Sequence, residues 1–243
     1  MRITDYSDGR VVEKYYKKTL AADYINYPAV LKLLRGISGK TVLDLGCGAG
    51  WLAGKLSRRG ALVYGLDNSP KWISICRKQN GRSGNIRFIT ADSANLKIFR
   101  NGMFDVIIAN MVFLCVPSRQ KLIKTFREVS RILKKDGLFI FSDCHPVTNM
   151  IGPTCTKVSG RVPGFSYFDD GAKYKSTYLL SDYSRIDFVD SHWSMGFYSD
   201  LLNRNNMAIE RILEPKPVRM DPGKRFKNYE APEYIMFKCR KFK

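Results

Sequence analysis

Along the first 145 residues, short apolar runs alternate with stretches of helical period. Residues 41–45 form one such run, and a helical pattern follows from Trp51 to about residue 59. Residues 61–66 and 86–91 are two more runs, closed by Asp67 and Asp92. Residues 105–109 read as a fourth, buried strand. Leu122, Phe126, Val129 and Leu133 mark one face of a helix at spacings of four, three and four. Asp136-Gly137 closes that helix in this reading, and residues 138–142 are the fifth strand. Ser69 followed by Pro70 is a start signal, a side-chain cap and then a proline at the first helical position, for a helix running to about Gln79. Upstream, residues 11–25 and 28–36 read as helices, with Pro28 suited to open the second. Strands joined by helices imply a parallel, doubly wound sheet that binds ligands at the carboxyl ends of its strands.

The pattern breaks over residues 145–190. Gly and Pro at 152–153, 160 and 163–164 punctuate a stretch rich in aromatics and without helical period. Alternation returns over 183–189 and helical period over 194–205. Residues 207–213 and 234–239 read as a closing antiparallel pair around a Pro-, Lys- and Arg-rich loop at 214–232. The expected architecture is α/β, a doubly wound seven-stranded mixed sheet with a flap inserted between the fifth strand and the last helix. It divides into helices at 1–36 lying over the ligand site, an α/β core at 37–144, the flap at 145–192, and a last helix with closing strands at 193–243.

Candidate chemistry begins where the first strand ends. Glycines at 46, 48 and 50 let a ligand press against bare backbone. The helix behind them offers unpaired N–H groups and the positive end of its dipole. Asp67 lies 17 residues past Gly50, room for one helix and a return strand. An acid about 20 residues beyond such a loop is the usual partner of ribose hydroxyls. These spacings point to a nucleotide-like ligand, with turn capping as the alternative role of either aspartate.

Val42–Gly50, Gly65–Pro70, Ala91-Asp92-Ser93 and Phe104–Asn110 together resemble the successive motifs of class I S-adenosylmethionine-dependent methyltransferases. Position 51 is Trp, so the pyrophosphate fingerprint Gly-x-Gly-x-x-Gly is missing, which favours a methionine-bearing nucleoside over a dinucleotide. The resemblance implies a Rossmann-like methyltransferase fold and S-adenosyl-L-methionine as cofactor. It places Gly46, Cys47, Gly48 and Gly50 against the methionine half, with Cys47 most simply a small packing residue. Asp44 approaches the ammonium group, Asp67 and Asn68 the ribose, Asp92 and Ser93 the adenine, and Asn110 opens the loop under the methionine part.

The flap is the candidate acceptor site. Phe165, Tyr167, Phe168, Tyr174 and Tyr178 could form an aromatic lid that excludes water, or simply the flap's own small core. Two histidines offer a general base: His145, after the fifth strand, and His192, before the next helix. Asp143, Asp169 and Asp190 are further carboxylates able to serve. His145-Pro146, His192 and Glu214-Pro215 are similar to a branch of small-molecule methyltransferases often labelled type 11, in which the segment between the histidines shapes the acceptor pocket. That branch usually ends its last helix with Ala-Gly-Phe, where this chain has Asn205-Asn206-Met207.

Composition adds one complication. The chain of 243 residues holds 41 Lys plus Arg against 22 acids, a formal charge of +19. Such a balance is the footprint of a nucleic-acid binder. Most of the charge falls on helices covering the sheet, however, and Asn110-Met111-Val112-Phe113 stands where nucleic-acid enzymes of this kind carry Asn/Asp-Pro-Pro-aromatic. The leading expectation is methyl transfer to O or N of a small-molecule acceptor, an acidic one among the options. RNA as substrate, and cofactor binding without catalysis, are the rivals. Six scattered cysteines read as reduced cytosolic thiols, and no stretch has the ~18–20 apolar residues of a membrane span. A cytoplasmic monomer or homodimer without a metal is expected.

Overall fold

A computed structural model describes residues 4–6, 8–16, 22–34, 36–80, 83–148, 150–155, 157, 162–219 and 225–243. Its strands are β1 (Thr41–Leu45), β2 (Leu62–Asp67), β3 (Ile86–Thr90), β4 (Phe104–Asn110), β5 (Leu133–Cys144), β6 (Lys173–Leu179), β7 (Arg185–Ser191), β8 (Met207–Leu213) and β9 (Tyr234–Lys241). The helices are α1 (Gly9–Tyr15), α2 (Tyr27–Leu33), α3 (Trp51–Ser57), α4 (Pro70–Asn80), α5 (Arg119–Ile132) and α6 (Met195–Arg204). Seven strands form one sheet in the order β3-β2-β1-β4-β5-β9-β8, with β9 antiparallel to both its neighbours. This is the expected doubly wound mixed sheet. β6 and β7 form a separate antiparallel hairpin, built where the sequence shows its break in pattern.

Both faces of the sheet are covered, which is why its central strands are apolar throughout. On one face Phe126 and Val129 of α5 and Leu201 of α6 meet Phe139 and Phe141 of β5. On the other, Val30, Leu52 and Ile73 from α2, α3 and α4 meet Val42, Val63 and Ile140. Serines start the helices as their positions suggest. The Ser118 hydroxyl accepts from Lys121 N–H at 3.3 Å, and the Ser194 hydroxyl from Phe197 N–H at 3.1 Å.

Two boundaries differ from the sequence reading. β5 starts at Leu133, before Asp136-Gly137, because Leu133 takes extended backbone and pairs with Phe104. Asp136, with φ 59°, then forms a kink within the strand instead of the end of the helix. The helical lead-in is also divided. α1 is short, and a π-helical turn at Ala22–Asn26 runs into α2; residues 17–21 lie outside the described set.

Phe141 is fully buried between the rings of Phe113, Tyr198 and Phe237, at centroid distances of 5.4, 5.0 and 4.7 Å. Phe141→Ala should therefore lower unfolding free energy by about 3–5 kcal/mol, measured by denaturant titration, as expected of a cavity at a site that cannot collapse.

Candidate active site

The turn after β1 is held by backbone. Gly46 and Cys47 N–H both donate to the Leu66 carbonyl, at 2.7 and 2.9 Å, tying the turn to the end of β2. Gly46, Gly48 and Gly50 have φ of 70°, 51° and 76°, the left-handed region that disfavours a side chain. A Cβ on Gly46 would also stand 2.6 Å from a methyl of Val112. Gly48 N–H donates to Asp67 Oδ2 at 2.9 Å, and Ser69 N–H to Oδ1 at 3.0 Å, so two amides aim this carboxyl group.

A cavity of about 580 Å³ opens over this turn, within the roughly 300–1,000 Å³ of small-molecule sites. Asp44, Gly46, Cys47, Gly48, Asp67, Asn68, Asp92, Ser93 and Asn110 all line it, Asp92 and Asn110 at opposite ends of the strand order β3-β2-β1-β4. Gly50 is set back from the lining and packs toward Cys76, Asn80 and Phe88. Cys47 combines two of its expected positions, a wall of the cavity and a buried neighbour of Cys76, 4.0 Å away sulfur to sulfur. The hydrogen bond shared with Cys76, and burial, push its thiol pKa up.

The acids of the wall differ electrically. Asp44 is 2% exposed, and burial raises its pKa to about 7, the more so beside Asp67, although an amide bond from Ala53 opposes this. Its Oδ2 has no hydrogen-bond partner. Burial also raises Asp67. At Asp92 burial pulls the same way, but the Lys121 ammonium at 2.8 Å and the Ala94 amide outweigh it and hold the carboxyl below its ordinary value.

Opposite these acids, Met111 has φ 59°, a strained value for a side-chain-bearing residue. Its N–H donates to both Oγ and O of Ser142 at 3.1 Å, while Ser142 Oγ donates to Asn110 Oδ1 at 2.8 Å. β5 thus fixes the loop that closes the cavity floor.

The N-terminal segment forms a roof that no motif announces. Tyr6 stacks on Phe188 of β7 at 5.2 Å, its carbonyl accepts from Trp72 Nε1 at 3.0 Å, and Thr4 N–H donates to Val189 O at 3.0 Å. Tyr6, Tyr15, Tyr27 and Trp72 all line the cavity. Beyond them, a smaller chamber of about 60 Å³ shares Tyr6, Tyr15, Tyr27, Asn110, Met111 and Cys115 with the large one. Tyr178 of the flap lines this chamber, as does Asp190.

The two histidines lie elsewhere. His145 is buried, its Nε2 is 3.0 Å from Glu214 Oε1, and it lines neither cavity. His192 Nε2 is 2.8 Å from the Tyr167 carbonyl, and its ring packs edge-on to Phe165 at 4.6 Å. Burial lowers its pKa. Both histidines brace loops, and the expectation of a histidine base finds no geometric support. Phe165 and Tyr167 are occupied with His192 instead of facing the cavity, and Phe168 is 84% exposed. Buried Asp143 is the hydrogen-bond partner of Tyr198, and Asp169 is exposed. Of the carboxylates held in reserve, Asp190 reaches a cavity.

Comparison with known proteins agrees with this geometry. Residues 43–141 match the family model described as methyltransferase domain. The chain is 34% identical over 118 residues to a phthiotriol/phenolphthiotriol dimycocerosates methyltransferase of Mycobacterium leprae, covering 48% of this chain and 42% of the relative. It is 34% identical over 128 residues to a ubiquinone biosynthesis O-methyltransferase of Actinobacillus pleuropneumoniae, covering 51% of each. The chain thus spans about half the length of these curated relatives. A crystal structure of a candidate S-adenosylmethionine-dependent methyltransferase from Listeria monocytogenes superposes with a TM-score of 0.70 at 24% identity, over 89% of this chain and 96% of that one, a likeness of fold. Residues 43–141 thus match a methyltransferase domain, and the sheet around them shares its fold with the Listeria monocytogenes protein. No described helix is long and apolar enough to cross a membrane.

The buried acids set a direction for stability. Asp44, Asp143 and Asp190 are each raised to about 7 by burial. Unfolded aspartates titrate near about 3.9, so between about pH 4 and pH 7 the folded chain holds protons that the unfolded chain has released, and stability falls as pH rises. His192, lowered by burial, acts in the opposite sense, one group against three. The thermal midpoint of the ligand-free protein should therefore climb as pH is lowered from about 8 to about 5.5. A flat or falling midpoint in calorimetric scans would contradict the burial of these carboxylates.

Proposed function

We propose that the protein binds S-adenosylmethionine in the large cavity and transfers its methyl group to an O or N atom of a small-molecule acceptor. The observation that carries this reading is one continuous cavity running from the glycine turn to the strained Asn110-Met111 floor, roofed by aromatics. The residues fit the cofactor. Asp44 Oδ2 is a buried acceptor without a partner, suited to the ammonium of a methionine moiety. Asp67, held by two amides, retains lone pairs for a diol. Asp92 and Ser93, to which the resemblance gives the adenine, line the same cavity, and Gly48 leaves open space where a side chain would stand.

S-adenosylmethionine supplies an already activated methyl on a sulfonium. The protein's share is to hold the acceptor in line, exclude water and accept a proton, and positioning alone can contribute roughly 7–11 kcal/mol. Neither histidine has a part in this scheme. The formal charge of +19 supports RNA as a rival substrate.

Asp67→Ala should weaken S-adenosylhomocysteine binding by about 1–3 kcal/mol, as expected when a buried hydrogen-bonding group is lost. An unchanged dissociation constant in titration calorimetry would remove Asp67 from the site. Incubation with methyl-labelled S-adenosylmethionine and cell extract, separated into small-molecule, RNA and protein pools, should put label in the small-molecule pool. Label in nuclease-sensitive RNA would decide for the rival.

A further inference from the structure

The small chamber has a composition unlike the rest of the site. Six aromatic side chains wall it: Tyr6, Tyr15, Tyr27, Tyr178, Phe188 and Tyr234. Among the described residues, no Lys or Arg lines it. Asp190, fully buried, is its one acid, and its Oδ1 accepts from Tyr6 Oη at 2.9 Å. Its Oδ2 has no hydrogen-bond partner. Asn26, 3% exposed, also lines the chamber, and its Oδ1 has no partner either. Two buried acceptors therefore lack donors inside an aromatic enclosure. The buried ammonium of Lys157, which lies over the Tyr174 ring at 5.7 Å, is outside the lining but acts electrostatically on Asp190.

Building on the methyltransferase reading, we infer that this chamber receives the acceptor's reacting head as an amine, bound by Asp190 and Asn26 and enclosed by the aromatic walls. An ammonium brings two or three donors, enough for both orphaned oxygens, whereas a hydroxyl brings one. Aromatic faces attract cations and do so more strongly when water is excluded. An anionic acceptor would meet a carboxylate at contact and, among the described lining residues, no Lys or Arg. The head is also well placed, because Asn110, Met111 and Cys115 line both cavities and form the shared wall.

The step balances as follows. The bound ammonium passes one proton to Asp190 Oδ2, which exposes the nitrogen lone pair. That pair forms the new N–C bond, and the electrons of the broken C–S bond stay on sulfur. The product leaves as an N-methylammonium, and Asp190 returns its proton to solvent. Burial, which raises Asp190 to about 7, suits it to accept a proton.

The test uses the full chain, methyl-labelled S-adenosylmethionine and small-molecule extract divided by charge into cationic, neutral and anionic pools. Label should enter the cationic pool and be nitrogen-bound by NMR. Asp190→Asn should lower that labelling by about 100-fold or more, the scale of a lost proton acceptor, while S-adenosylhomocysteine affinity by calorimetry stays unchanged. Label on oxygen, or confined to the neutral or anionic pool, would overturn the amine assignment and leave the methyltransferase reading intact. No label in any pool, or no binding of S-adenosylhomocysteine, would overturn both. The labelling pattern comes from the unaltered protein, so it decides the matter even if the variant fails to fold.

Discussion

The site depends on one constraint, the seam between the glycine turn and the end of β2. Gly46 and Cys47 share the Leu66 carbonyl, and Gly48 binds the carboxyl group of the next residue, Asp67. Two adjacent parallel strands are thereby joined at their carboxyl ends, past the last paired residues Leu45 and Leu66. One consequence is geometric. The turn must run through left-handed backbone at Gly46, Gly48 and Gly50, which is why glycine recurs at alternate positions. The other is chemical. An acid that serves as a structural acceptor is, by the same bonds, fixed at the cavity wall.

The cavity walls are maintained at a thermodynamic cost. Asp44, Asp190 and Asn26 each keep a buried oxygen without a partner, and such a group costs about 1–3 kcal/mol. Met111 adds backbone strain, of the order of 1–3 kcal/mol. These terms are tolerable because the sheet behind the site is packed on both faces, with Phe113, Phe126, Phe141, Tyr198 and Phe237 interlocked under β4 and β5. Stability accumulated in the core is offset at the strand ends, the usual location of sites that must meet a polar ligand.

How much of this was legible in the sequence follows from how local each feature is. β1 to β4, α4 and the acids at 67 and 92 were readable because strand period, a Ser-Pro start and a fixed crossover length are all written within about 30 residues. The seven-stranded sheet followed from them. A cover from residues 1–36 was expected, but its contacts were not readable, since Tyr6 meets Phe188 and Asp190 across more than 180 positions and nothing near Tyr6 marks it. The histidines misled for the same reason. Their place at strand ends suggested the cavity rim, but Glu214 and the Tyr167 carbonyl, both distant in sequence, turn them into loops. Asp190 was visible as one carboxylate among several. What distinguishes it, an oxygen buried without a donor, exists only after β7 pairs with β6 and Tyr6 folds over both.

The division between donor and acceptor halves has a further implication. The family match ends at Phe141, within β5, and so covers the glycine turn, the acids and the Asn110-Met111 floor. Tyr178, Phe188 and Asp190 come from the hairpin that follows, and Tyr6, Tyr15 and Asn26 from the segment that precedes. The wall proposed for the methyl donor therefore lies largely within the match, whereas the proposed acceptor chamber adds parts of the chain outside the match to Asn110, Met111, Leu114 and Cys115 within it. The charge distribution points the same way. Cations dominate the chain as a whole, yet the described lining of the chamber contains a carboxylate and no Lys or Arg. Surface charge governs encounter over about a Debye length, whereas a desolvated carboxylate acts at contact distance and is screened far less. In the proposed scheme, selection of the acceptor rests on the few buried groups of the chamber, and the excess of cations outside acts on encounter alone.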